Sequence, residues 1–126
     1  MKSYTDLEQS KKLAEILPIE SADMALCSKI QPLMTDYISA KKKFSNAGEI
    51  PIDPCWSLAA LLNYLREIDL FPQIDADECN VTMSINYYNE EETRLLVPIH
   101  TIKVKAESFV DACYEMIVKL HELKML

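Results

Sequence analysis

The sequence predicts a small α+β domain, one antiparallel sheet of three or four strands with about three helices packed on one face. Two segments carry apolar residues at helical spacing: Leu58, Leu61, Leu62, Leu65 and Ile68, then Phe109, Ala112, Cys113, Met116, Ile117, Leu120 and Leu123. Between them, Val81, Met83, Ile85 and Tyr87 alternate with Thr82, Ser84, Asn86 and Tyr88, the period-two pattern of a strand with one wet face. A chain of 126 residues, 49% hydrophobic and 26% charged, holds one core without metal or disulfide staples, so residues 1–126 read as a single domain.

The elements follow in chain order. Thr5-Asp6-Leu7-Glu8 reads as a capping box with Thr5 as the cap, opening a helix to about Leu17 that Pro18 ends. Residues 21–46 read two ways: Met24, Leu26 and Ile30 fit a strand alternation from Ala22 onward, and Leu26, Ile30, Leu33, Met34, Tyr37 and Ile38 fit a helical period equally well, although Pro32 would lie inside such a helix. A strand at about 22–29 is the favoured reading, followed by an undecided segment ending in Lys41 to Lys43. Gly48 and Pro51 mark a turn. Asp53 and Pro54 have the grammar of a helix start, with a capping carboxylate and then a proline at the first helical position, predicting a helix from Pro54 to about Ile68. Asp75 to Glu78 reads as a polar connector into the 81–88 strand, and Asn89 to Thr93 as a charged hairpin tip. On the return strand Leu95, Val97 and Ile99 share one parity, whereas Ile102 and Val104 take the other. That slip near Pro98 predicts a bulge or an edge strand. Ser108, with Asp111 three residues on, caps the last helix.

Composition excludes several functions. The one glycine, Gly48, removes dinucleotide and P-loop phosphate cradles, which need several glycines in a single turn. A net charge of −7 argues against a nucleic-acid binder, which needs a basic face to displace counterions. The polar start Met1 to Asp6 lacks the apolar run of a signal peptide, and no apolar run approaches a membrane span. The expected location is therefore the cytoplasm, with no membrane contact. Cys27, Cys55, Cys79 and Cys113 are widely spaced and read as reduced thiols, and neither His100 nor His121 has a ligand neighbour at metal-site spacing. Neither a metal nor a cofactor is expected.

Three segments, LEQSKKLAEILPIESADM at 7–24, PCWSLAALLNYL at 54–65 and SFVDACYEMIVKLHELKML at 108–126, resemble an uncharacterised family of short proteins from gut anaerobes and their phages and mobile elements. They cover about two-fifths of the chain. The resemblance implies a small intracellular accessory protein, phage- or mobile-element-borne, and implies no activity, ligand or catalytic residue.

Two places invite a functional reading. Cys55, at the start of the helix expected from Pro54, would lie where free amides and the helix dipole favour a thiolate, and with His100 or His121 it would form a nucleophile–base pair. A cysteine and tryptophan packed into the core account for the same residues more simply. The alternating strand offers Thr82, Ser84, Asn86 and Tyr88 as hydroxyls, an amide and a ring on one rigid platform, which is either a binding face or an ordinary wet sheet face. Asp75, Asp77 and Glu78 superficially resemble a calcium loop but lack its glycine and distal glutamate. Lys41 to Lys43 and Glu90 to Glu92 read as solvated charge. Leu123, Met125 and Leu126 either pack inward or form a contact between copies. The leading expectation is a non-enzymatic protein acting by protein–protein contact. The alternatives are a binder of a nucleotide or signalling metabolite and, last, a cysteine enzyme built on Cys55.

Overall fold

The computed structural model describes residues 2–27, 31–33, 36–44, 52–87 and 100–126. In order they form α1 (Leu7–Ile16), a 3-10 turn (Ile19–Ser21), β1 (Met24–Cys27), β2 (Gln31–Leu33), α2 (Tyr37–Phe44), β3 (Ile52–Cys55), α3 (Leu58–Glu67), β4 (Gln73–Ala76), β5 (Val81–Tyr87), β6 (His100–Ala106) and α4 (Phe109–Glu122). The fold is α+β, and its strands divide between two antiparallel three-stranded sheets ordered β2-β1-β3 and β4-β5-β6.

The helix α4 organises the core. Its cap is the expected one, the Ser108 hydroxyl accepting from the Asp111 N–H at 3.1 Å. Val110, Ala112, Cys113, Met116, Ile117 and Leu120 are all fully buried along its length. It lies on the inner face of the second sheet, against Val81, Met83, Ile85 and Ile102, with α1 and α3 packed on it to add Leu13, Leu17, Leu61 and Leu65. Each buried Val, Leu, Ile or Met among them contributes about 1.5–3 kcal/mol by leaving water, so this cluster dominates stability. Met125 and Leu126 pack against it in part, whereas Leu123 stays exposed.

The capping box of α1 is real but shifted by one residue. Asp6, not Thr5, caps the helix: its Oδ1 accepts from the Gln9 N–H at 2.8 Å, and the Gln9 side chain returns to the Asp6 N–H at 3.2 Å. Thr5 is fully buried, its hydroxyl bonded to Ser10 Oγ at 2.7 Å and accepting from the Trp56 N–H at 3.2 Å. Engaged in the interior, that hydroxyl cannot serve the helix end.

The helix expected from Pro54 begins later. Residues 52–55 pair with β1 in the register Met24–Cys55, Ala25–Pro54, Leu26–Asp53 and Cys27–Ile52, and Ser57 caps α3 through the Ala60 N–H at 3.2 Å. Pro54 suits this position for the reason it suits a helix start, since an outer strand also has a face where a missing N–H costs nothing. Pro32 obeys the same rule on β2, the other outer strand, paired with Leu26. The strand expected over 22–29 is β1, and the segment after it divides into β2 and α2, with Lys41 to Lys43 inside that helix.

The connector expected at Asp75 to Glu78 is in part a strand: Asp75 and Ala76 belong to β4. Asp77 then closes the β4–β5 hairpin by accepting at one carboxylate oxygen from the Cys79 N–H at 2.8 Å and the Asn80 N–H at 2.7 Å. These two amides, aided by Lys105, hold the Asp77 carboxyl below the usual carboxylate range. The slip near Pro98, the turn at Gly48 and Pro51, and the hairpin tip at 89–93 lie outside the described residues. With one glycine in the chain, the left-handed positions after α3 and α4 fall to Asp69 (φ 60°) and Lys124 (φ 59°).

Candidate functional site

The outer face of the second sheet is built by strand register. Thr82 pairs with Lys105, Ser84 with Lys103 and Asn86 with Thr101 across β5 and β6, while Asp75 and Gln73 on β4 pair with Thr82 and Ser84. Paired residues of an antiparallel sheet point to the same side, so these side chains share one face, opposite Val81, Met83 and Ile85. Lys103, Lys105, Thr101, Gln73 and Asp75 are exposed, and the central row of Thr82, Ser84 and Asn86 is half-buried. The helix α4 covers only the inner face. Among the described residues, Thr101 Oγ1 donating to Asn86 Oδ1 at 2.9 Å is the side-chain hydrogen bond that crosses this face. Thus three of the four expected face residues, Thr82, Ser84 and Asn86, lie together, and Tyr88 lies outside the described residues. The sequence pattern did not reveal that Lys103 and Lys105 share the face, because the expected change of parity left the pairing of the return strand undefined.

Cys55 occupies a different setting from the expected one. It ends strand β3 and is fully buried, not placed in the first turn of a helix. Its thiol donates to the Thr5 carbonyl at 3.4 Å and lies 3.7 Å from the Thr5 hydroxyl. Burial pushes the thiol's pKa up, outweighing the hydrogen bonds from Thr5 and Ser10 that oppose it, and nearby Asp23 adds to the rise. A buried, protonated thiol is a poor nucleophile. His121 lies exposed near the end of α4, and His100 opens β6 paired with Tyr87. Neither is among the hydrogen-bond partners of Cys55. The premise of thiolate activation at a helix N-terminus is overturned, because residues 52–55 completed a sheet instead.

The neighbourhood of Cys55 forms an interlocked corner. Thr5 N–H donates to the Trp56 carbonyl at 2.9 Å, Leu58 N–H to the Ser3 carbonyl at 3.1 Å, and the Trp56 indole N–H to Ser21 Oγ at 2.9 Å. Asp23 accepts from both the N–H and the hydroxyl of Ser57. Lys2 completes the clasp by bonding Asp111 at 2.6 Å, Gln9 at 2.9 Å and Asp6 at 3.3 Å. Burial opposes ionisation of Asp111, yet the bonds from Lys2, Gln9 and Ser108 prevail and hold its carboxyl below the usual range.

A groove of about 800 Å³ between the 3-10 turn and α3 was not legible in the sequence, since its walls come from three separated segments. Glu20, Asp23, Asp36 and Glu67 line it together with Asn63 and Tyr64. Asp23 is engaged by Ser57, and Asp36 by the N–H and hydroxyl of Ser39. Among the described residues no three histidine, cysteine or carboxylate side chains converge on a point that would hold a metal ion. Among the same residues, no helix is long and apolar enough to cross a membrane.

No protein-family model, curated protein or solved structure matches the chain.

Proposed function

We propose that this chain is a non-enzymatic, cytoplasmic binding protein, phage- or mobile-element-encoded, that regulates or inhibits a host or phage protein through the outer face of its second sheet. The observation that carries the reading is the contrast across strand β5. Its inner residues Val81, Met83 and Ile85 are buried in the core, while Thr82, Ser84 and Asn86 face the other way, half-buried, on a side that no described helix covers. Donors and acceptors carried on the ordered backbone of a sheet lose less conformational freedom on binding than the same groups on a loop. The resemblance of the 7–24, 54–65 and 108–126 segments to accessory proteins of mobile elements supports the biological setting. The exposed Leu123 offers an apolar contact should two copies associate.

The groove bears on the alternative of a nucleotide or signalling metabolite. Four carboxylates repel an anionic phosphate ligand, so this groove has the wrong sign for it. The alternative of a cysteine enzyme has less in its favour, since Cys55 ends a strand and is buried rather than opening a helix.

A benzophenone amino acid placed at Ser84, irradiated in a lysate of the source cell, tests the contact reading. The expected result is one stoichiometric protein adduct that excess unmodified protein competes away. A folded variant that captures nothing under the same conditions overturns it.

A further inference from the structure

Accepting the outer face as a protein-contact surface, on which this inference rests, we infer that its occupant is an extended acidic segment with carboxylates on alternate residues, lying over β5 and β6. The chain carries a net charge of −7, yet the charged side chains that β5 and β6 present on this face are Lys103 and Lys105. Both are exposed and neither forms a direct ion pair with any described residue; Lys105 acts on Asp77 only through space, which leaves Lys103 the less engaged of the two. The hydroxyls of Thr82 and Ser84 beside them bond to no described side chain either. Sign also varies across the face: Asp75 on β4 and Asp77 in the adjoining turn make that side negative. An acidic segment is therefore drawn to the β5–β6 side and turned away from β4.

Spacing supplies the pattern. Lys103 and Lys105 are two residues apart on one strand, about 7 Å along its axis. In an extended segment, side chains that face the same way recur at that same interval, so carboxylates at positions i and i+2 meet both ammonium groups in register. A block of consecutive carboxylates would turn every second one away. Nucleic acid fits less well, because two lysines are too few to neutralise a continuous phosphate backbone and no described ring lies on this face for base stacking. Lysines on an edge strand also guard against strand-to-strand aggregation, a role that predicts a different outcome below.

The test is an amide-shift titration of the full, isotope-labelled chain with two synthetic peptides of equal composition, one alternating Glu and Thr and one with its Glu residues in a single block. The alternating peptide is expected to move the amides of 82–86 and 101–105, with an affinity that falls as salt rises. The Lys103→Glu/Lys105→Glu variant should weaken it about tenfold or more; Lys103→Gln/Lys105→Gln serves if the reversed charges prevent folding. Equal response to both peptides, shifts elsewhere, or no response overturns the inference. So does a glutamine variant that aggregates while its peptide affinity is unchanged, which would make the lysines edge guards. If the Ser84 cross-link captures a protein and the alternating peptide does not bind, the acidic partner is wrong and the contact surface stands. If both fail, the reading of the face fails with it.

Discussion

Two regions drew attention as candidate sites, the corner around Cys55 and the outer face of the β4-β5-β6 sheet, and the fold treats them in opposite ways. At the corner every polar group has been put to structural use. Thr5, Ser10, Cys55 and the Trp56 N–H bond one another, and no buried side-chain polar atom among the described residues lacks a partner. On the outer face the Thr82 and Ser84 hydroxyls bond to no described side chain, and the Lys103 and Lys105 ammonium groups are exposed. A polar group satisfied inside the protein has little to offer a ligand, because binding would have to break what folding made. Reactive residue types are thus weaker guides to a site than residues the fold leaves unengaged.

Substitutions at the two regions should break or sharpen this contrast. Trp56→Ala removes a fully buried indole and should cost about 3–5 kcal/mol in a denaturant melt, the largest single effect expected at the corner. Met83→Ala, on the inner face of β5 and fully buried, should cost about 2–5 kcal/mol, while its neighbour Ser84→Ala should stay within about 0.5 kcal/mol. Comparable losses at 83 and 84 would mean the strand has no free face. Thr5→Ala leaves the Trp56 N–H and the Ser10 hydroxyl short of a partner and should cost about 1–3 kcal/mol.

The Lys2–Asp111 clasp is partly exposed, so Lys2→Ala should cost only about 1 kcal/mol or less. Its pH dependence has a definite sign. The Asp111 carboxyl is lowered in the folded state, so its contribution is present above the unfolded value of about 3.9 and is lost as pH falls through the lower folded value. Lys2 is raised, because its bonds to Asp111 and Asp6 outweigh the burial that opposes its charge. Its contribution holds below about 10.4 and is lost as pH rises through the higher folded value. An acid melt of Asp111→Asn should therefore lack part of the wild-type loss below about pH 4.

The smallest perturbation is chemical. Iodoacetamide on the native chain, read by peptide mapping, should label exposed Cys79 well before Cys55 and Cys113. Burial pushes the Cys113 thiol up to about 12, and Cys55 is raised for the same reason. A Cys55 that reacts as fast as Cys79 would reopen the corner as a chemical site.

Where local chemistry and tertiary environment agree, the sequence was readable. The stripe and cap of α4 and the alternation of β5 needed no information beyond their own residues. Where one residue type serves two geometries, it was not. Pro54 suits a helix start and an outer strand alike, and β1 lying alongside chose the strand. Thr5 can cap a helix or bond inside a core, and its burial against Trp56 passed the cap to Asp6. Three residues of the proposed face could be named because period-two alternation is local. Lys103 and Lys105 could not, since membership of that face depends on which residue of β6 stands opposite which of β5.

The sequence by itself determined the α+β class, the apolar faces and the absence of glycine-rich phosphate loops. These follow from periodicity and residue type, which each segment carries alone. Only the tertiary structure decided that the strands form two sheets, that Cys55 is sealed and that Lys103 and Lys105 stand opposite Ser84 and Thr82. Those depend on pairing between distant segments, and a shift of one residue in register exchanges the buried side chains for the exposed ones.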